Sequence, residues 1–304
     1  MGMNHSGEIK RLCEIAEPDA VAVTMVGAAH IGELGSMQAV MDAKQEIYDN
    51  TDGIKIFNMD NGATSKIYEK VGKSWPEDKK ILFGTYEKEA AVNFRVMDMD
   101  FAGLKVKGTI KGVEGEFFVP VFGRHNNTNL MTATSMALAC GMTPEEIWAA
   151  LPGCKGSWGR NQLVELESGA KVLFDAYNAN PDSMSVLIKN LFEMFVSGKK
   201  VVVVGEMLEL GNFAEAEHEK LGEMIGNTDV ELVWFIGPSF KAFERGIKTS
   251  DFSKISMFSD SYEESLAIKI GSVLQHEDVA VIKGSRGIRL ERVLQSWKPV
   301  NFSS

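Results

Sequence analysis

The stretch Asp175-Ala176-Tyr177-Asn178-Ala179-Asn180-Pro181-Asp182-Ser183-Met184 decides the fold prediction for this chain. An apolar strand is predicted over 171–174, directly before it, and a helix with apolar periodicity is predicted over 182–196, directly after it. Pro181 suits the first turn of a helix, where no backbone N–H is needed. In an open α/β sheet, such turns lie at the carboxyl ends of the strands, where ligands bind. The simpler alternative is a well-capped turn, because Asn and Asp favour turns through local hydrogen bonds.

The composition is that of an ordinary globular protein. The chain has 304 residues, of which 44% are hydrophobic and 24% charged, and this length suggests about two domains. The net charge of −10 argues against a nucleic-acid binder that relies on phosphate neutralisation. The three scattered cysteines fit a reducing cytoplasm without disulfides. No stretch of sequence is long and apolar enough to span a membrane.

The first half of the chain mixes two patterns. Continuous apolar runs predict buried parallel strands at 20–26 and 54–58. From 81 to 122, short alternating segments separated by glycines predict antiparallel strands. Four helices are predicted around them, over 7–16, 36–48, 127–140 and 143–151.

The second half alternates strands and helices, which is the pattern of a doubly wound α/β domain. Its strands are predicted at 163–166, 172–174, 201–204, 232–236 and 279–282, and its last helix at 289–297. The segment 151–156 is rich in Gly and Pro and marks a domain boundary. We therefore predict one domain over 1–155 and a second over 156–304.

The string 175–184 resembles the DxYNANPxSM signature of the Mur ligase family, and the resemblance extends over nearly the whole chain. It implies an α/β fold: a truncated central ATP-binding domain, whose mostly parallel sheet has an antiparallel segment, and a Rossmann-like C-terminal domain. It also implies an ATP-dependent amide ligase of peptidoglycan precursor synthesis. Such an enzyme adds D-alanyl-D-alanine to UDP-N-acetylmuramoyl-tripeptide through an acyl phosphate. We expect ATP and Mg²⁺ as cofactors, only small-molecule partners, and a cytoplasmic monomer.

A candidate metal site follows the first predicted strand. The stretches 26–36 and 43–47 resemble the family pattern NxGxAHLxxxGS…AKxEI, although Met25 stands where the family usually has Asn. The resemblance implies that His30 ligates magnesium and that Lys44 is carbamylated. A carbamate converts a cationic amine into an anionic oxygen donor, the kind of ligand that Mg²⁺ prefers. By itself, His30 reads as an ordinary loop histidine.

A candidate nucleotide site lies at the start of the helix predicted at 127. The stretch 123–129 resembles the family motif GxHNxxN, which implies that His125, Asn126 and Asn129 contact the adenine. Asn58 is a weaker candidate, in a stretch that resembles the motif NADD. A helix N-terminus also favours phosphate. The alternative is an Asn-rich helix cap.

Further candidates lie in the second half. The resemblance implies that Arg160 contacts the ATP phosphates and that Asp175 contacts the ribose. Substrate-binding candidates are Asn178, Asn180 and Ser183 in the quoted stretch, and Lys283, Ser285 and Arg286 in a stretch that resembles the motif KGSR. The second group forms a cationic, hydroxyl-bearing turn suited to a carboxylate. The stretch 201–211, with His218, resembles VLGDMxELG…H, with Glu206 in place of the usual Asp.

Two features of the family pattern are missing from this sequence: the N-terminal UDP-binding domain and the P-loop GxxGKT. The stretch 1–9 resembles EMGxNxxGEI from its second residue onward. We therefore expect weak or absent ATP binding and negligible ligase activity from this chain alone. Two alternatives stay open, namely another amide ligase of the superfamily, such as a folate polyglutamate ligase, and a non-catalytic binding fragment. The string NANPDSM argues against the first of them.

Overall fold

The structure is a computed structural model that describes residues 1–27, 34–193, 195–300 and 302. His30, one of the two predicted metal-site residues, lies outside the described residues. The chain divides into two compact units. The first comprises Met1–Met99, Leu104–Val119 and Arg124–Cys154, and the second comprises Asp100–Gly103, Pro120–Gly123 and Lys155–Ser304. Among the described residues, no helix has both the length and the apolar character required to cross a bilayer.

The first unit is built on a sheet of six strands in the order β1-β2-β3-β4-β5-β6. The strands are β1 Ala20–Val23, β2 Ile54–Asn58, β3 Lys80–Phe83, β4 Val92–Asp100, β5 Gly103–Ile110 and β6 Val113–Val119. Strands β1 to β4 pair in parallel, and β5 and β6 are antiparallel. The helices are α1 Glu8–Ala16, α2 Met37–Asp49, α3 Gly62–Ile67, α4 Asn126–Ala139 and α5 Pro144–Ala150. This is the predicted mostly parallel sheet with an antiparallel segment.

The predicted start of the antiparallel segment at residue 81 is wrong, because β3 pairs in parallel with β2 through Ile56 and Ile81. Three consecutive residues of β3, from Ile81 to Phe83, are buried, which is typical of a parallel strand covered on both faces. The antiparallel prediction is confirmed for β5 and β6. Lys111 and Gly112 connect these strands with φ values of 44° and 82°, as a two-residue hairpin turn requires.

The buried side chain of Tyr48 attaches α2 to the parallel part of this sheet. Its hydroxyl accepts a hydrogen bond from Val23 N at 2.9 Å and donates one to Ile56 O at 2.7 Å. Its ring stacks on Phe57 with the ring centroids 4.6 Å apart, and burial raises the pKa of the hydroxyl well above its usual range. These contacts hold α2 against β1 and β2, and thereby determine where Lys44 lies.

The second unit is built on a sheet of seven strands in the order β11-β10-β9-β12-β8-β7-β13. The strands are β7 Gln162–Leu166, β8 Lys171–Asp175, β9 Lys200–Gly205, β10 Leu232–Ile236, β11 Ile255–Ser259, β12 Val279–Lys283 and β13 Pro299–Val300. The helices are α6 Pro181–Glu193, α7 Ala214–Gly226, α8 Phe240–Thr249, α9 Glu264–Val273 and α10 Glu291–Ser296. Strands β8 to β12 pair in parallel, as the α/β alternation predicts.

One edge of this sheet departs from the doubly wound prediction. Strand β7 pairs antiparallel with both β8 and β13. Only four residues separate β7 from β8, and Gly169 adopts a φ of 82° in that turn. A parallel connection needs about a dozen residues or more, so the short connection makes a hairpin. The sequence analysis did not predict β11 or β13.

Helices α7 and α8 pack so closely that their backbones touch. A Cβ atom added to Gly246 would lie 1.9 Å from the carbonyl oxygen of Glu219, and one added to Gly222 would lie 2.2 Å from that of Phe243. Real Cβ atoms do not approach other atoms so closely, so only glycine fits at these two positions.

The parallel strands bring the candidate residues Asp175 and Lys283 to the same end of the second sheet, where the carboxyl ends of the strands lie. Asp175 ends β8, Gly205 ends β9, Ile236 ends β10 and Lys283 ends β12. The interiors of these strands are fully buried, which leaves the segments after their carboxyl ends to carry polar side chains. Open α/β sheets bind ligands at the carboxyl ends of their strands.

Candidate functional site

Asp175 and Lys283 form an ion pair at the ends of β8 and β12. They are cross-strand neighbours, and Lys283 Nζ lies 2.5 Å from Asp175 Oδ2. The same ammonium donates a hydrogen bond to Asn178 O at 3.1 Å. The two turns that carry the motifs therefore meet, as expected from their positions at the ends of parallel strands.

The turn after β8 is capped by its own side chains. Asn180 Oδ1 accepts a hydrogen bond from Ser183 N at 2.8 Å, and Ser183 Oγ donates to Asn180 O at 3.0 Å. Asn178 Oδ1 accepts from Ala179 N at 2.8 Å. The capped-turn interpretation thus accounts for both carboxamide oxygens. Within the described part of the chain, the side-chain nitrogens of the two exposed asparagines make no hydrogen bond.

Arg160 lies on a turn that is attached to this loop. Its guanidinium stacks over the Tyr177 ring, 4.3 Å from the ring centroid, and Tyr177 N donates a hydrogen bond to Gly159 O at 3.0 Å. Asn161 N donates to Asp175 Oδ1 at 3.2 Å. The exposed Arg160 side chain therefore has a defined place beside the loop.

The KGSR motif presents one of its polar side chains to solvent. Arg286 is 53% exposed, pairs with Glu291 at 3.0 Å, and stacks over Trp158 at 4.2 Å from the ring centroid. Ser285 is buried, and its hydroxyl accepts a hydrogen bond from Leu208 N at 3.1 Å. Lys283 is also buried, so Arg286 is the cation of this motif that a ligand can contact directly.

Glu206 and His218 support the loop after β9. The Glu206 carboxylate accepts hydrogen bonds from Ser239 Oγ at 2.5 Å and from Ser239 N at 3.0 Å, at the start of α8. His218 Nε2 accepts from Met207 N at 3.0 Å, while Nδ1 lies 2.7 Å from Ala214 O, a carbonyl to which it can only donate. An imidazole that accepts at one nitrogen and donates at the other is neutral. The 3.7 Å contact between His218 and Glu206 is therefore not an ion pair.

The candidates for adenine contact, and the weaker candidate Asn58, lie in the first unit. Asn129 Nδ2 donates to Asn126 Oδ1 at 2.9 Å, so these two side chains lie on one face of α4, next to the exposed His125. Asn58 is buried, and its amide donates to Thr24 O at 2.6 Å and accepts from Asp60 N at 2.9 Å. The Asn58 amide therefore supports the ends of β1 and β2.

Lys44 lies on α2, where its side chain is partly buried. Burial lowers the pKa of its ammonium below the usual 10.5. No hydrogen bond or ion pair of this group is found among the described residues. Nearby in sequence, Glu46 accepts hydrogen bonds from Ser6 Oγ at 3.1 Å and Gly7 N at 2.7 Å, which attaches the start of α1 to α2. Within the described ranges, no three His, Cys, Asp or Glu side chains are grouped as metal ligands.

Two family profiles match the chain in the same order as its two units. The Mur ligase middle domain matches residues 1–137, and the Mur ligase glutamate ligase domain matches residues 159–286. The chain belongs to the Mur ligase family. The resemblance inferred from its motifs is therefore confirmed.

Several curated Mur ligases are similar to the chain over almost all of its length. The UDP-N-acetylmuramoyl-tripeptide–D-alanyl-D-alanine ligase of Bacillus subtilis is 31% identical over 97% of this chain and 62% of its own length. The ligase of the same name from Escherichia coli is 29% identical over 97% of this chain and 64% of its own. The chain thus spans somewhat less than two thirds of these relatives.

Solved Mur ligase structures have the same fold. A crystal structure of MurF from Acinetobacter baumannii superposes with a TM-score of 0.83 at 25% identity, covering 98% of this chain and 64% of that one. A MurF ligase from Thermotoga maritima, solved in complex with ADP, has a TM-score of 0.73 at 24% identity, covering 97% and 65%. The two-sheet α/β architecture is therefore that of a Mur ligase.

Sequence reasoning missed four residues that hold the candidate side chains of this Mur ligase in place. Tyr177 and Trp158 stack against Arg160 and Arg286. Glu291 pairs with Arg286, and Ser239 binds the Glu206 carboxylate. Tyr177 lies in the quoted stretch 175–184, and Trp158 lies two residues before Arg160, so an aromatic residue near a candidate arginine or within a motif was the available signal. Nothing in the sequence pointed to Glu291 or Ser239, because their contacts depend on the tertiary fold.

Proposed function

We propose that this chain carries the ATP-binding and C-terminal parts of a ligase that adds D-alanyl-D-alanine to UDP-N-acetylmuramoyl-tripeptide. The observation that carries the proposal is the meeting of the 175–184 turn with the KGSR turn, where Lys283 contacts Asp175 and Asn178. The names of the relatives support the same substrates. We place the boundary between the two parts near residue 155.

The proposed reaction has two steps. The γ-phosphoryl group of ATP is transferred to the tripeptide carboxylate, and the dipeptide amine then attacks the acyl carbon, which releases phosphate. Because a guanidinium presents several donors in one plane, Arg160 is suited to stabilise the negative charge on the transferred group. Its stacking on Tyr177 keeps the guanidinium in place before ATP binds.

The dipeptide is proposed to bind at the carboxyl ends of the strands in the second unit. Arg286 binds its carboxylate, because this guanidinium is exposed and already oriented by Trp158 and Glu291. The side-chain nitrogens of Asn178 and Asn180 donate to its one peptide carbonyl oxygen. Ser183 shapes the turn through its cap, while Ser285 and Lys283 support the site from the interior.

The adenine contacts are proposed for residues of the first unit, and the ribose contact is considered by itself for Asp175. His125, Asn126 and Asn129 contact the adenine at the start of α4, and the buried Asn58 supports the ends of β1 and β2. Asp175 accepts from the ribose hydroxyls, since each carboxylate oxygen retains a lone pair beyond its internal bond.

The magnesium site is proposed to include Lys44 and His30. Lys44 is the residue whose chemistry suits this magnesium site. Its lowered pKa leaves more of the neutral amine, which is the form that reacts with CO₂ to give a carbamate. The bound ion would supply charge stabilisation at the transferred phosphoryl group. The carbamate oxygens of Lys44 would help to hold it.

We expect Lys44 to be carbamylated when the chain is incubated with ¹³C-labelled bicarbonate. The lowered pKa should make the carbamate carbon signal appear at a lower pH than for a lysine with the usual value of 10.5. The measurement is ¹³C NMR across a pH series. Lys44→Ala should remove the signal, and Lys66→Ala, at an exposed position on α3, should leave it unchanged. A signal that survives Lys44→Ala would refute the assignment.

The dipeptide site is tested by an NMR titration of the chain with D-alanyl-D-alanine. We expect amide shifts concentrated in 177–183 and 285–287, and much smaller shifts with L-alanyl-L-alanine. Arg286→Met should weaken binding about tenfold or more, because it removes a charge-assisted hydrogen bond. Shifts confined to other surfaces would contradict the proposed site.

A further inference from the structure

Lys283 is a buried cation whose polar contacts are internal. Its side chain is 2% exposed, at the end of a central strand. A buried ammonium is costly unless its donors are paired. Its partners are Asp175 Oδ2 at 2.5 Å and Asn178 O at 3.1 Å. One is a carboxylate at a strand end and the other is a backbone carbonyl of the loop, so the ammonium connects the strand to the loop.

The carboxylate of Asp175 extends this connection to a second turn. Its other oxygen accepts a hydrogen bond from Asn161 N at 3.2 Å. Asn161 has a φ of 48°, a left-handed conformation that a non-glycine residue adopts at some cost. A hydrogen bond from Tyr177 N to Gly159 O at 3.0 Å links the same turn to the loop. The placement of the turn that carries Arg160 therefore depends on Asp175, and that of Asp175 depends on Lys283.

We propose that Lys283 is a positioning residue that orders the loop 176–180 and, through Asp175, the turn 159–161, without binding a ligand itself. Because the Lys283 side chain is only 2% exposed, a ligand carboxylate could reach its ammonium only if the surrounding residues moved. Arg286, which is 53% exposed, offers free donors without such movement. The identity of the ligand that the ordered loop binds rests on the proposed function. The ordering of the loop by Lys283 does not depend on it.

The primary test is amide hydrogen exchange in the chain without ligand. The probes are the amides of Tyr177 and Ala179 in the loop and of Asn161 in the turn, with Val202 and Trp234 in the central strands as internal references. In Lys283→Met we expect exchange at the three probes to accelerate about tenfold or more, because local opening then costs less. The reference amides exchange through global unfolding, so their acceleration reports the loss of overall stability and is read separately from the local opening at the probes. Probe rates equal to those of the wild type in a folded Lys283→Met would overturn the proposal.

A matched control and a second variant complete the test. Lys269→Met changes an exposed lysine on α9 and should leave the exchange rates of the three probe amides unchanged. Asp175→Asn/Lys283→Met removes both charges, so it should fold even if the single variant does not. In this double variant all three probe amides should exchange faster than in the wild type, because the ammonium that holds residue 175 and the Asn178 carbonyl is absent. If neither variant folds while Lys269→Met does, Lys283 is required for the whole unit and the local role is refuted.

A ligand experiment separates positioning from direct recognition. D-Alanyl-D-alanine and its C-terminal amide are titrated into the wild type, Lys283→Met and Arg286→Met. If Lys283 acts by positioning, Lys283→Met weakens both ligands and keeps the preference for the acid, whereas Arg286→Met loses that preference. Loss of the preference in Lys283→Met would show direct carboxylate binding and overturn the proposal. If the wild type binds neither ligand, the proposed function fails, and the exchange rates still decide the role of Lys283.

Discussion

Lys283→Met is expected to lower the free energy of unfolding by roughly 3–5 kcal/mol, the range observed when one member of a buried ion pair is removed. The reason is that the carboxyl group of Asp175, which is 13% exposed, would lose the ammonium that lies 2.5 Å away. The Asn178 carbonyl would also lose a donor. The measurement is urea unfolding of the chain followed by circular dichroism.

The double variant Asp175→Asn/Lys283→Met provides the control for this prediction. Because it leaves no uncompensated charge, it should be more stable than Lys283→Met. The two substitutions should therefore be strongly non-additive, as expected for groups in contact. A loss below about 1 kcal/mol in the single variant, which is typical of an exposed ion pair, would contradict the burial argument. The burial argument would also be contradicted if the losses in the free energy of unfolding caused by the two substitutions were additive.

The parallel core of the second unit could be predicted because its signal is local. Each of β9, β10 and β12 is a run of buried residues between helical segments. The antiparallel pairing of β7 with β8 could not be predicted from strand patterns alone, because an apolar run does not reveal the direction of its partner. The four-residue connection between these strands was the informative feature.

The candidate site was predictable as a set of residues but not as a set of roles. Both Asp175 and Lys283 follow predicted strands of the second domain, and the strand register places them side by side. The residue type of Lys283 does not tell whether its ammonium points toward solvent or toward a neighbouring strand. The same holds for Glu206, whose carboxylate binds Ser239 after another strand. Roles of this kind depend on contacts between residues far apart in sequence.

Gly246→Ala is expected to lower the free energy of unfolding by about 3 kcal/mol, near the upper end of the usual cost of overpacking. In an isolated helix the change would be favourable, because alanine exceeds glycine in helix propensity by about 1 kcal/mol. Here the new methyl group would lie 1.9 Å from Glu219 O and 2.7 Å from Glu223 N. Both are backbone atoms of α7, so no side-chain rotation can relieve the contact and the two helices must move apart.

The matched control is Gly62→Ala, at the start of α3, where an added methyl group meets no atom within 4 Å. That substitution should leave stability unchanged or raise it by up to about 1 kcal/mol, the difference in helix propensity. Gly222→Ala, which would place a methyl group 2.2 Å from Phe243 O, should behave like Gly246→Ala. Urea unfolding of the three variants beside the wild type makes the comparison. If Gly246→Ala were as stable as Gly62→Ala, the close backbone packing of α7 and α8 would be disproved, because the same methyl group cannot be accommodated there without separating the helices.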